Sequence, residues 1–138
     1  MPSRWTRVAL QIAAGLVLLL GGLWWGRRTS AGNPTAPRFA LLLLEDSTFQ
    51  GATAVGHDSL VAEYSAWAGQ LAGSGSLVLG EELEPASYPL GPATAATDRV
   101  TGLFVIAEEN LEGALRIART CPHLRYGGGI VVRPIAAT

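Results

Sequence analysis

Phe39-Ala40-Leu41-Leu42-Leu43-Leu44 is an unbroken apolar run, closed by Arg38 on one side and by Glu45-Asp46 on the other. A short run between two polar breaks suits a central strand buried on both faces. Downstream, Leu60, Tyr64, Trp67 and Leu71 recur at helical spacing until Gly73 and Gly75 stop the pattern, and Asp58 stands where a helix N-cap is expected. Ser76 to Leu83 reads as a second strand. Pro85, Pro89, Gly91 and Pro92 then force irregular loop, and Val100 to Ala107 forms a third strand. Asn110 caps a second helix with the stripe Leu111, Ala114, Leu115, Ala118 and Cys121, ended by Pro122. Gly127-Gly128-Gly129 leads into a last strand, Ile130 to Ile135.

The order β-α-β-β-α-β predicts an α+β, ferredoxin-like domain with two helices on one face of an antiparallel sheet. Nothing in the chain is left to cover the other face. Strand side chains alternate, so Val131, Leu77 or Leu79, and Phe104 or Val105 must place apolar groups there. Burying that face against a second copy is the usual remedy, and a homodimer is expected.

Upstream of the domain the composition changes. Val8 to Gly26 contains no charged residue and only Gln11 is polar, long enough to span a bilayer at 1.5 Å rise per residue. Trp24 and Trp25 end the run at interface depth, and Arg4, Arg7, Arg27 and Arg28 flank it. The competing reading is a cleaved secretory signal, with Thr29-Ser30-Ala31 as the small residues before the cut. The apolar run is longer than such signals use, and two arginines interrupt the approach to the cut, so a retained single-pass anchor is favoured. The expected organisation is a tail at residues 1–7, a transmembrane helix at 8–26, a Ser-, Gly- and Pro-rich linker at 27–37 and the domain at 38–136. Arginines on both flanks leave the positive-inside rule nearly silent, while the short tail favours a non-cytoplasmic domain.

Composition excludes several classes of function. Charged residues are 15% of the chain and hydrophobic residues 49%, with a net charge of −1, so there is no electrostatic footprint for nucleic acid. The lone Cys121 forms no internal disulfide, and with two histidines it leaves no convincing metal set. Gly127-Gly128-Gly129 runs into a strand, whereas phosphate loops run into a helix N-terminus.

The stretch Ala114-Leu115-Arg116-Ile117-Ala118-Arg119-Thr120-Cys121-Pro122-His123, continued by Leu124-Arg125-Tyr126-Gly127-Gly128-Gly129-Ile130-Val131-Val132-Arg133-Pro134-Ile135, resembles the end of YCII-related domains. Those carry a helix ending in Cys-Pro, a Gly-rich turn and a strand closing on Val-Arg-Pro. Gly80 to Pro85 and Gly102 to Ile106 resemble the family's second and third strands. The resemblance implies a dimeric α/β barrel, without a cofactor, in which a His and Asp pair serves as the active site. Where many members have Asp-Gly-Pro-Phe, this chain has Leu90-Gly91-Pro92-Ala93. Leu90 has no titratable group, so that position carries no proton here. The membrane segment is a second departure from the family.

Candidate site residues are few. His57 beside Asp58 is a possible base and carboxylate pair; otherwise Asp58 is a helix cap and His57 a loop residue. His123, Arg125 and Tyr126 together suit a small anion or carboxylate; otherwise His123 and Arg125 satisfy the last helical carbonyls. Arg133 on the last strand either pairs across a dimer, with Glu81 as partner, or lines a cleft. Two functions remain open. One is a membrane-anchored dimeric module that binds a small polar molecule or a protein; the other is a cofactor-free enzyme using His123 or His57 as base. The missing acid favours the module.

Overall fold

The computed structural model describes residues 35–92 and 99–137. The expected transmembrane helix at 8–26, the tail before it and residues 27–34 of the linker lie outside the described residues. Among the described residues no helix is long and apolar enough to cross a membrane.

The domain is α+β. Strand β1 (Arg38–Leu44) is followed by helices α1 (Gly51–Val55) and α2 (His57–Gly73), then β2 (Leu77–Glu82) and β3 (Val100–Ala107). Helices α3 (Leu111–Arg119) and α4 (Pro122–Arg125) lead to β4 (Gly129–Pro134). All pairings are antiparallel, in the order β2-β3-β1-β4, which is compatible with a ferredoxin-like arrangement. The apolar run Phe39 to Leu44 is thus a central strand, as expected, but it is not buried on both faces: Phe39, Leu41 and Leu43 are buried and Ala40, Leu42 and Leu44 only half-buried, because the helices pack on one face of the antiparallel sheet.

Alternation splits each strand between two environments. Phe39, Leu41 and Leu43 of β1, Phe104 and Ile106 of β3 and Leu77 of β2 pack in one core with Trp67, Ala68 and Leu71 of α2, Ala114 and Ala118 of α3, and Cys121. Leu41 and Ile106 are 0% exposed, a burial worth about 1.5–3 kcal/mol for each side chain. Trp67 meets Phe104 edge-on with ring centroids 5.0 Å apart. Its indole N–H donates to Thr120 Oγ1 at 2.9 Å, so the one polar atom of this large core residue is satisfied. Cys121, the last residue of the expected apolar stripe, lies in the core, and burial pushes its thiol up to about 11.

Ala40, Leu42, Leu79, Leu103, Val105 and Val131 point to the opposite face. The open choices on that face are thereby decided. Leu77 is buried beneath the helices, because the register shifts between Leu77 and Leu79 and turns Leu79 outward. Phe104 is buried and Val105 faces out.

Two local expectations need correction. The cap of α2 is Gly56, not Asp58, which lies inside the first turn. Gly56 has φ 82, a conformation that lets α1 stop and α2 start without a spacer and that side chains resist. Pro122 does not simply end the second helix. Helix α3 stops at Arg119, where Thr120 Oγ1 donates back to Ile117 O at 2.7 Å, and Pro122 opens α4 at a position suited to its fixed φ. Asn110 caps α3 as expected, its Oδ1 accepting from Gly113 N at 2.9 Å.

Candidate functional site

His123 lies in the four-residue helix α4 and is 0% exposed. Its Nε2 is 2.9 Å from Leu44 O, and a carbonyl only accepts, so Nε2 carries the proton. Nδ1 of that neutral tautomer then accepts from Tyr64 Oη at 2.7 Å. Phe49 lies 4.9 Å away, tilted by 31°. On another side the backbone of Gly128 packs so closely that a Cβ there would overlap the imidazole. Burial pushes His123 below its ordinary pKa, opposed by the Leu44 carbonyl and by the charge of Glu45. Burial likewise raises the Tyr64 phenol, with Cys121, Glu45, Glu63 and Glu82 adding to it. His123 is therefore a neutral internal clamp joining the end of β1, helix α2 and the Gly-rich turn.

Arg125 and Tyr126 turn the other way. Both reach Glu63 on α2: Arg125 Nη1 donates to Oε2 at 2.9 Å, and Tyr126 Oη donates to Oε1 at 2.7 Å. The expected convergence of His123, Arg125 and Tyr126 on one ligand is thus corrected. The last two share a carboxylate of the same chain at the surface, and the first faces inward. None of them satisfies the final carbonyls of α3. Bonding to Glu63 raises the Tyr126 phenol, because ionising it would break that bond and set two anions together. Glu63 has 31% of its side chain exposed and Arg125 has 64%, so this ion pair is a surface feature.

The remaining candidates lie apart from these two groups. His57 and Asp58 are exposed in the first turn of α2. Leu90 is 94% exposed, next to Gly91 and Pro92, and Ala93 is outside the described residues. Glu81 on β2 and Arg133 on β4 occupy opposite edges of the sheet. Three strand spacings of about 4.8 Å separate those edges, too far for a bond within one copy.

Tyr64 and Glu63 are the residues that sequence reading missed. Tyr64 was visible only as a member of an apolar stripe, and the signal for its second role is that a buried histidine needs a partner at each nitrogen. Loop residues Glu45 and Asp46 close the far end of β1. Asp46 accepts from the Thr48 hydroxyl at 2.6 Å and from its backbone N–H at 2.8 Å, and pairs with Arg99 at 3.0 Å. Those bonds, the Thr48 hydroxyl first, hold its carboxyl below the ordinary carboxylate value. Beside it an open cleft of about 660 Å³ is lined by Glu45, Glu82 and Glu84 with Leu83, Pro85 and Thr101 among others. Thr101 Oγ1 donates to Glu45 at 3.0 Å. None of the candidate site residues His57, Asp58, Glu81, His123, Arg125, Tyr126 and Arg133 lines this cleft. Among the described residues no group of three or more His, Cys, Asp or Glu side chains is arranged to hold a metal ion. No family model matches the chain. No curated protein matches it either.

Proposed function

We propose that this chain is a single-pass membrane protein whose domain is a YCII-related, ferredoxin-like module acting as a homodimer, with binding of a partner or of a small polar molecule as its task. The observation that carries this reading is the sheet face that no described helix covers, where Ala40, Leu42, Leu79, Leu103, Val105 and Val131 stand together. Val131 is 41% exposed in the single copy. A contiguous apolar face of this kind marks an interaction surface. The order β2-β3-β1-β4 and the Cys-Pro, Gly-rich and Val-Arg-Pro signatures support the family reading. Apolar residues 8–26 support the anchor.

Burial of His123 favours a binding module over the enzyme alternative. A general base must reach the proton that it abstracts. Both nitrogens of His123 are held by protein groups, and its ring has no exposed surface. Sedimentation of the full chain in detergent tests the reading. The protein should run as a dimer, and Leu103→Asp, which sets a charge in the middle of the uncovered face, should run as a monomer. A wild-type monomer at all concentrations rejects the homodimer. A Leu103→Asp chain that remains dimeric moves the contact off this face.

A further inference from the structure

On this face one charge stands on each edge strand, with the apolar residues between them. Strand pairing sets Glu81, Leu103, Leu42 and Val131 in one row and Leu79, Val105, Ala40 and Arg133 in the next. The acid therefore sits on edge strand β2 and the base on edge strand β4, both exposed. Arg38 also belongs to this face, opposite Ala107 at its far end, and is at the rim.

We propose that the second copy docks with its edges exchanged, so that β2 of each copy lies over β4 of the other and Glu81 meets the partner's Arg133 twice. This rests on the homodimer reading given above and adds its orientation and its charge contacts. Two copies stacked face to face close on a two-fold axis lying in the plane between them. If the axis runs along the strands, the edges exchange and each Glu81 faces an arginine. If it runs across the strands, β2 lies on β2, and like charges confront each other at both edges. Stacked sheets sit about 10 Å apart. One row of offset along the strand adds about 7 Å, and an arginine and a glutamate extended toward each other cover that distance. The centre of the contact is then Leu42 over the partner's Leu103 and Ala40 over the partner's Val105, with charge only at the margins. Opposite charges fixed at the two edges make the surface self-complementary in one orientation.

The test is a charge exchange in the full chain, read as the dimer dissociation constant by sedimentation in detergent. Glu81→Arg alone and Arg133→Glu alone should each weaken the dimer about tenfold or more, because one reversal turns two attractive contacts into two repulsive ones. The double variant should regain wild-type affinity. Both side chains are exposed, so the far-ultraviolet circular dichroism of the fold should hold in all three, and the thermal midpoint should fall only as far as the weaker dimer takes it. A dimer indifferent to both single reversals, or a double variant no better than the singles, overturns the proposed orientation and leaves the homodimer standing. A wild-type monomer overturns the homodimer reading itself and this orientation with it.

Discussion

Replacing Tyr64 with Phe removes the hydroxyl that donates to Nδ1 of His123 at 2.7 Å and keeps the ring that packs against the core. The acceptor left behind is buried, since His123 is 0% exposed. An orphaned buried polar atom costs about 1–3 kcal/mol. In a domain of this size each kcal/mol lowers the melting temperature by about 4–8 °C. The pH dependence has a definite sign. His123 has a lowered pKa in the folded state, so below the unfolded value near 6.5 the unfolded chain binds a proton that the folded one does not. Stability is full above that value and declines as pH falls toward the lowered one. The Tyr64 hydroxyl favours the neutral ring, so Tyr64→Phe moves the folded pKa upward. The penalty of the substitution should accordingly be larger at pH 7.5 than at pH 5.5. Thermal unfolding of both chains, followed by near-ultraviolet circular dichroism at the two pH values, reads this directly. Equal midpoints at pH 7.5, or a difference that does not shrink at pH 5.5, would refute the clamp.

Gly128→Ala drives a methyl group into the His123 ring and should lower stability by about 1–3 kcal/mol, measured by the same unfolding assay, whereas Gly73→Ala, with open space at its Cβ, should not. Glu63→Gln removes the carboxylate that raises the Tyr126 phenol, so Tyr126 should ionise at lower pH in an ultraviolet titration; an unmoved titration would break the assigned bond. Alkaline carbonate should leave the full chain in the membrane pellet, and a chain lacking residues 1–34 should pass to the supernatant. Release of the full chain would exclude a spanning helix at 8–26.

Local pattern was enough for the strands and helices whose neighbours are close in sequence. The apolar run Phe39 to Leu44 forms β1, Val100 to Ala107 forms β3 with the bounds expected, and Asn110 caps α3, each through contacts that period or capping chemistry encodes. Helix α1 was not legible, because Gly51-Ala52-Thr53-Ala54-Val55 is too short to show a period. The register shift that turns Leu79 outward was also hidden, since both leucines fit either face until β3 is paired beside them.

The chain by itself determined an α+β domain, one buried cysteine and an apolar segment before the domain, because alternation, helical spacing and hydropathy are properties of neighbouring residues. Only the tertiary structure decided what the polar residues after Cys121 do. His123, Arg125 and Tyr126 look like one cluster in sequence, yet their partners lie about sixty residues or more away: Tyr64 and Glu63 on α2, and Leu44 at the end of β1. Successive residues of a short helix and the turn after it point in different directions, so one goes into the core and two to the surface. Which of them goes inward depends on where α2 passes, and that path follows from the packing of Trp67 and Leu71 over the sheet.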